Sequence, residues 1–320
     1  MATGEAVKQS DKKDPPAATN LEALHVHRLP LSEKKYTIRE LRLEELPQLI
    51  ELWKKVGFMV SEYCIRSLWQ SDPSGIYGAV SDGGEILGSC CSPFLGESMA
   101  KLCFHGVRPE YRLQGLGTQL CDKAMEHVGD CNVFTLCIPE HEHIYVNRYQ
   151  LNVSPRVFQI LGPGIPRMRS VLSSVPGITL VELTPGLKDA LMEYDNEVSG
   201  YSRFTALEHF VQEPAALVRV ALRDDNQIAG FGIISESIHG PAIVRTICAD
   251  APDIAEMILG HLFKHFATVW THGVWMVSCI QTYETHNVLK KFGLKSIHEM
   301  KLLRRRPVFD NDLARVYAAY

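Results

Sequence analysis

Val107-Arg108-Pro109-Glu110-Tyr111-Arg112-Leu113-Gln114-Gly115-Leu116-Gly117-Thr118 joins a strand-like run to an amphipathic, helix-like one. Downstream, Leu116, Leu120, Ala124 and Val128 recur at helical spacing with Cys121 and Met125 beside them, while Thr118, Gln119, Asp122, Lys123 and Glu126 fall on the opposite side. One face is therefore buried and the start of the helix stays accessible. The first N–H groups of a helix have no partner inside it, and with the positive end of the helix dipole, worth about 0.3–2 kcal/mol, they receive an anion. Glycine at 115 and 117 removes side chains that would hold phosphate oxygens off the backbone, and Arg112 brings a positive charge to the same turn. A diphosphate fits this place. A nucleoside triphosphate fits less well, because no Gly-Lys-Ser/Thr follows, and the third glycine of a dinucleotide loop is missing. The plainer reading of Gly115 and Gly117 is a tight strand-to-helix turn.

Working outward, Tyr36 to Arg42 suits a strand, and Glu44 to Val56 carries Leu46, Leu49, Ile50 and Trp53 at helical spacing, with Pro47 tolerated in the first turn. Ile76 to Ser81 and Glu85 to Cys91 flank Asp82-Gly83-Gly84, a turn that accepts positive φ and predicts an antiparallel hairpin. Lys101 to Val107 is a strand, Gly117 to His127 a helix and Asn132 to Ile138 another strand. The order is β, α, ββ, βαβ.

In this setting Val107-x-Pro109-x-x-Arg112-Leu113-Gln114-Gly115-Leu116-Gly117 resembles the acetyl-CoA signature of the GNAT superfamily of N-acetyltransferases, whose core pattern is Gln/Arg-x-x-Gly-x-Gly/Ala. The resemblance covers residues 36 to about 153. It implies that the amides of Leu113, Gln114, Gly115, Leu116, Gly117 and Thr118 hold a pyrophosphate, with Arg112 in the same turn, and that the backbone of His105, Gly106 and Val107 pairs with the pantetheine arm. It also implies acetyl-CoA as co-substrate, no metal, and one strand amide polarising the thioester carbonyl.

An amine that attacks a thioester must be neutral, and a primary amine with a pKa of about 10 is mostly protonated at pH 7. A base or a water chain has to remove the proton. Strict alternation puts Lys101, Cys103, His105 and Val107 on one face of the strand, and among them His105 alone titrates near neutrality. His105 is a candidate base; the alternative is a histidine hydrogen-bonded within the sheet. The resemblance also implies a carboxylate farther back on this strand, where this chain has Lys101, and a tyrosine acid on the helix after the next strand. In Ile144-Tyr145-Val146-Asn147-Arg148-Tyr149-Gln150-Leu151 the expected slot falls on Val146, so Tyr145 is the candidate acid and Tyr149 a packing residue. Glu140-His141-Glu142-His143 spaces its histidines for opposite directions and reads as a solvated loop, not a metal cluster.

A weak repeat marks a second half. Ala79-Val80-Ser81-Asp82-Gly83-Gly84-Glu85-Ile86-Leu87-Gly88 parallels Ala221-Leu222-Arg223-Asp224-Asp225-Asn226-Gln227-Ile228-Ala229-Gly230, and prolines and glycines from Pro155 to Gly177 place the boundary within that span, part of which is left open to the last strands of the first domain. In the second half Ile247 to Glu256 stands at the place of the phosphate loop without its Arg/Gln or Gly-x-Gly, and Asp250, Asp253 and Glu256 are expected to cap the helix amides there. With Phe292-Gly293-Leu294 and Gly200-Tyr201-Ser202-Arg203, this half resembles the divergent acetyltransferase-like domain that follows a GNAT domain in some bacterial and animal proteins. Tyr201 and Arg203 read either as lining a ligand site or as structural. The expected organisation is an α/β (α+β) chain of two GNAT-like mixed-sheet domains in tandem: a disordered tail over 1–35, a GNAT domain over 36–174 and a divergent copy over 175–320.

The totals agree with this reading. A chain of 320 residues with 46% apolar and 22% charged residues has enough apolar material for two cores. A net charge of −4 gives no footprint for nucleic acid, and no stretch is apolar enough for a membrane span. Nine cysteines without a Cys-x-x-Cys pair suggest free thiols in a reducing compartment, hence a cytoplasmic protein, with a nuclear location left open. The expected partner is a small-molecule or protein amine. The competing reading is a non-catalytic acyl-CoA sensor or scaffold; a third places catalysis in the second half.

Overall fold

The computed structural model describes residues 30–31, 35–279, 283–306 and 313–319, so most of the expected tail over 1–35 lies outside the described residues. The first half runs β1 (Tyr36–Glu40), α1 (Leu46–Val56), α2 (Cys64–Ser71), β2 (Ile76–Ser81), β3 (Ile86–Cys91), β4 (Phe94–Gly96), β5 (Met99–Lys101), β6 (Cys103–Val107), α3 (Leu116–Val128), β7 (Asn132–Cys137), α4 (Glu142–Tyr149) and β8 (Asn152–Gly164). The second runs β9 (Ile178–Val181), α5 (Lys188–Ser199), α6 (Phe204–Val211), β10 (Leu217–Arg223), β11 (Ile228–Glu236), β12 (Ala242–Ala249), α7 (Pro252–His265), α8 (Thr268–His272), β13 (Val274–Cys279), α9 (Tyr283–Phe292), β14 (Ser296–Arg304) and β15 (Val316–Ala319). The two orders correspond element by element, apart from the β4–β5 hairpin, α8 and β15.

The repeat holds at the level of single hydrogen bonds. Ser81 N donates to Glu85 O and Gly84 N to Ser81 O in one hairpin; Arg223 N donates to Gln227 O and Asn226 N to Arg223 O in the other. Gly84 and Asn226 share positive φ, and the strand register slips between Ala79 and Val80 as it does between Ala221 and Leu222. The amide of Arg108 reaches Leu87 O, and that of Asp250 reaches Ala229 O. Asp250 is thus the structural counterpart of Arg108, with the charge reversed.

β1, β2, β3 and β6 form one antiparallel sheet. Its alternating side chains pack Tyr77, Ala79, Leu87 and Cys90 under α3 and Ile76, Val80, Ile86 and Cys91 against α1 on the other face. Full burial of a residue such as Leu120 or Leu52 is worth about 1.5–3 kcal/mol. The remaining strands make one continuous sheet in the order β4-β5-β7-β14-β8-β13-β12-β11-β10-β9, with β15 added on β12. The closing strands are exchanged: β14 of the second half lies between β7 and β8, and β8 reaches β13. Among the described residues no helix is long and apolar enough to cross a membrane.

Candidate functional site

Strands β5 and β6 follow one another in sequence yet belong to different sheets. Met99 to Lys101 pairs in parallel with Asn132 to Phe134 of β7, and Leu102 N still donates to Phe134 O at 2.9 Å. From Cys103 onward the chain pairs only with β3, so β6 and β7 splay apart and the outer edge of β6 carries no strand among the described residues. The bend sits at Phe104, whose φ of +51° is unusual for a bulky residue. Such a conformation costs about 1–3 kcal/mol and persists only where neighbours hold it. Here Ser89 Oγ donates to Phe104 O at 2.9 Å, Trp53 Nε1 donates to Ser89 Oγ at 3.1 Å, and the Trp53 and Phe104 rings stack with centroids 4.2 Å apart.

The bulge overturns the expectation of a single face for Lys101, Cys103, His105 and Val107. Cys103 and Phe104 pack with Trp53 on the α1 side, whereas Val107 packs with Leu116 and Leu120 on the α3 side. One extra residue has shifted the alternation, and His105 with Val107 points away from Lys101.

At the far end of β6 the predicted loop runs into α3. Gly115 has a φ of +83° and Leu113 one of +61°, with the Leu113 side chain 82% exposed. No side chain caps α3, no acidic residue stands in its first turn, and the first hydrogen bond from its head is Gln119 N to Gly115 O. The amides of Leu116, Gly117 and Thr118 precede that bond. Arg112 Nε donates to Val107 O at 2.9 Å, tying the loop to the strand end, and burial lowers the guanidinium's pKa. The Gln114 side chain accepts from the amide of Leu31 at 2.8 Å. A methyl group on Gly117 would lie 3.1 Å from His105 Nε2, so glycine lets α3 sit against the strand. The free strand edge, the uncapped helix head and this close approach fit an elongated ligand that carries an anionic group at one end.

His105 and Tyr145 are brought together. Tyr145 Oη lies 3.0 Å from His105 Nδ1, and His105 Nε2 lies 2.8 Å from the carbonyl of Gly117. Burial pushes the imidazole below its ordinary pKa of 6.5 and the phenol well above its ordinary 10. Both are neutral near pH 7. Tyr149 is not part of this pair; its hydroxyl donates to Asp122 Oδ1 at 2.8 Å, and Arg148 holds the same carboxylate at 2.6 and 2.7 Å. A ring nitrogen of His105 and the thiols of Cys90 and Cys121 lie within 4.8 Å of one another. Both ring nitrogens already have hydrogen-bond partners, and burial holds the Cys90 thiol protonated, which disfavours the thiolate a metal needs. His141 and His143 are exposed and are separated by Glu142 at the start of α4.

Beyond the splay, a cavity of about 90 Å³ lies between the halves, walled by Phe104, Phe134 and Phe158 from the first and by Tyr201, Ala318 and Ala319 from the second. Lys101, Arg156 and Arg203 also reach it; Arg203 is held by Asp195 through two bonds of 2.6 and 2.8 Å, and burial pushes the Tyr201 phenol up to about 12. Sequence reasoning left Tyr201 and Arg203 between two roles, and both line the cavity. It missed Phe104, Phe134 and the β15 residues, whose positions depend on the bulge and on strand exchange.

In the second half the expected acidic capping is confined to Asp253, whose Oδ1 accepts from Ile254 N at 2.8 Å. Asp250 instead binds Arg223, Arg315 and Tyr194, and Glu256 binds Lys291 and the Leu172 amide.

Residues 37–150 match the profile of the acetyltransferase (GNAT) family. No curated protein matches the sequence. Among solved structures, the chain is similar to a putative acetyltransferase from Pyrococcus horikoshii (TM-score 0.68, 17% identity, 92% of this chain and 98% of that one). It is also similar to a tandem GNAT protein from the clavulanic acid biosynthesis pathway (TM-score 0.60, 14% identity, 86% and 100%). N-myristoyltransferase from Saccharomyces cerevisiae, solved with myristoyl-CoA, shares the fold at 9% identity (TM-score 0.61, 97% and 90%). Residues 37–150 therefore belong to the acetyltransferase (GNAT) family, and the described chain has the fold of two GNAT-like mixed-sheet domains in tandem.

Proposed function

We propose that the protein is an acyl-CoA-dependent N-acyltransferase that moves an acetyl group from acetyl-CoA to a primary amine by direct attack on the thioester. Residues 36–174 form the catalytic domain and residues 175–320 a divergent one that closes the acceptor side. The observation that carries this reading is the open edge of β6 leading to the uncapped head of α3.

Acetyl-CoA supplies a thioester carbonyl activated towards amines. The amides from Leu113 to Thr118 hold its diphosphate, the backbone of His105, Gly106 and Val107 pairs with its pantetheine arm, and an amide of that strand polarises the carbonyl. In the transfer the neutral amine nitrogen bonds to the carbonyl carbon and the carbon–sulfur bond breaks; the departing thiolate takes the phenol proton, and the proton lost by the nitrogen returns through water to the phenolate, so that one proton in all passes from nitrogen to sulfur. Tyr145, kept protonated by burial, is the candidate donor to the thiolate. His105 acts through Tyr145: its Nδ1 accepts a hydrogen bond from the resting phenol and orients the ring. For transfer the O–H turns from Nδ1 to the sulfur, after which the proton lost by the amine restores the phenol. Positioning alone supplies much of the rate, with effective molarities of up to about 10⁵–10⁸ M.

The test is calorimetry with coenzyme A followed by free-thiol release from acetyl-CoA over a panel of amines. Heat of binding together with amine-dependent thiol release supports the reading. Binding without release points to the sensor or scaffold, and activity that survives Gly115→Glu moves catalysis to the second half.

A further inference from the structure

The second half contains the same divergence of strands as the first, and there it is filled. β12 pairs in parallel with β13 over Ala242 to Val244, opposite Val274 to Met276, as β5 pairs with β7. Past that point β12 turns to β15, with Thr246 opposite Ala319, Ile247 opposite Ala318 and Cys248 opposite Val316. In the repeat these residues correspond to Phe104, His105 and Gly106, the stretch of β6 whose outer edge carries no strand among the described residues. β15 is also held from the other side: Ser278 Oγ on β13 donates to Tyr317 O at 2.6 Å, and Tyr317 and Ala318 are buried.

The residue before β15 completes the substitution. Arg315 lies 2.7 Å from Asp250, the counterpart of Arg108 at the strand end, and 2.5 Å from Glu197, and its guanidinium stacks 4.9 Å from the Tyr194 ring. An acid receiving an internal arginine thus stands where the first half has Arg108, whose guanidinium is held by Glu85 and the Ile86 carbonyl. Val316, Ala318 and Ala319 in turn wall the cavity between the halves.

We propose that β15 is an internal ligand of the second half: it takes the strand edge that a pantetheine arm takes in the first, shuts that half to acyl-CoA, and sets with its small side chains the size of the acceptor group. This rests on the function proposed above. About 90 Å³ is well below the roughly 150 Å³ of an engineered cavity that binds benzene, so the acceptor it admits carries a short aliphatic group on its amine. Ala319 borders the cavity without filling it, and a larger residue there takes up the space.

The experiment uses the full chain. Calorimetry with coenzyme A should give one site per chain. Thiol release from acetyl-CoA over linear alkylamines from ethylamine to hexylamine should reach a cut-off in length. Ala319→Leu should leave coenzyme A affinity within twofold, raise the KM of the longest accepted amine at least tenfold and move the cut-off to shorter amines. Val316→Ala, which removes bulk and carries no risk of overpacking, should move it to longer ones. Two coenzyme A sites per chain, or an unmoved cut-off in both folded variants, overturns the proposal. No coenzyme A heat with the unaltered protein, or no thiol release with any of these amines, overturns the proposed function and this inference with it.

Discussion

Tyr145 donates its phenolic proton to His105 Nδ1 across 3.0 Å, a direction set by the Gly117 carbonyl, which can only accept and therefore fixes the imidazole proton on Nε2. Three elements are joined by this chain of bonds: the splayed strand β6, helix α4 and the first turn of α3. A group that reads the position of α3 is thus coupled to the candidate acid.

Tyr145→Phe removes that donor and keeps the ring. The unsatisfied Nδ1 should cost about 1–3 kcal/mol of stability, read from urea unfolding. If the phenol protonates the departing thiolate, kcat should fall more than tenfold while the KM for acetyl-CoA changes by less than threefold. An unaltered kcat in the folded variant would leave Tyr145 as a clamp and take it out of the chemistry.

His105 gives a pH signature of defined sign. Burial holds its folded pKa below 6.5, so below that pH the unfolded chain binds a proton that the folded protein refuses. The stabilising contribution of the neutral ring is complete above about pH 6.5 and declines as the pH falls towards the folded pKa. His105→Gln should flatten the dependence of unfolding free energy on pH in that acidic window and leave the plateau near pH 8 parallel to that of the unaltered protein.

The two loop glycines should respond differently to alanine. At Gly115 the φ of +83° disfavours any side chain by about 1–2 kcal/mol, so Gly115→Ala should distort the turn and raise the KM for acetyl-CoA tenfold or more. At Gly117 no positive φ is required; the added methyl meets His105 Nε2 at 3.1 Å, which needs a shift of a few tenths of an ångström, and the helix gains about 1 kcal/mol of propensity. Gly117→Ala should therefore remain stable and lose only a few-fold in KM. Equal effects at both positions would contradict this division of labour.

The fold was legible in the sequence wherever local chemistry dictates structure. Asp82-Gly83-Gly84 forms the predicted hairpin turn, and the apolar row from Leu116 to Val128 forms the predicted helix, buried on the predicted side. Phe104 gave no local signal, because its positive φ is imposed by Ser89 and Trp53, residues far away in sequence. A strict alternation therefore put Lys101 and His105 on one face, when the bulge separates them. The exchange of β8 and β14, and the insertion of β15, are choices of partner among strands of similar composition, which periodicity does not distinguish. The cavity walls follow from those choices, so the acceptor side was the least readable part of the chain.

The seam between the halves rests on a buried ion pair whose replacement is informative. Arg245 Nη1 lies 2.9 Å from Glu213 Oε1, both side chains are about 2% exposed or less, and the pair reaches into the first half through Ser61 Oγ, which accepts from Arg245 at 2.8 Å and donates to Glu213 at 3.1 Å. Taking two charges out of water costs several kcal/mol for each, and mutual attraction with well-placed hydrogen bonds offsets it only while both partners remain. Glu213→Ala leaves a guanidinium buried over the Phe210 ring without its carboxylate, and should lower stability by about 3–5 kcal/mol. The double replacement Arg245→Met with Glu213→Leu restores apolar volume without a stranded charge and should recover most of that loss in urea melts. Because the closing strands are exchanged between the halves, the single variant should lower the midpoint of one cooperative transition rather than split it in two. A double variant as unstable as Glu213→Ala would show that the hydrogen bonds to Ser61, and not the cancellation of charge, hold the seam.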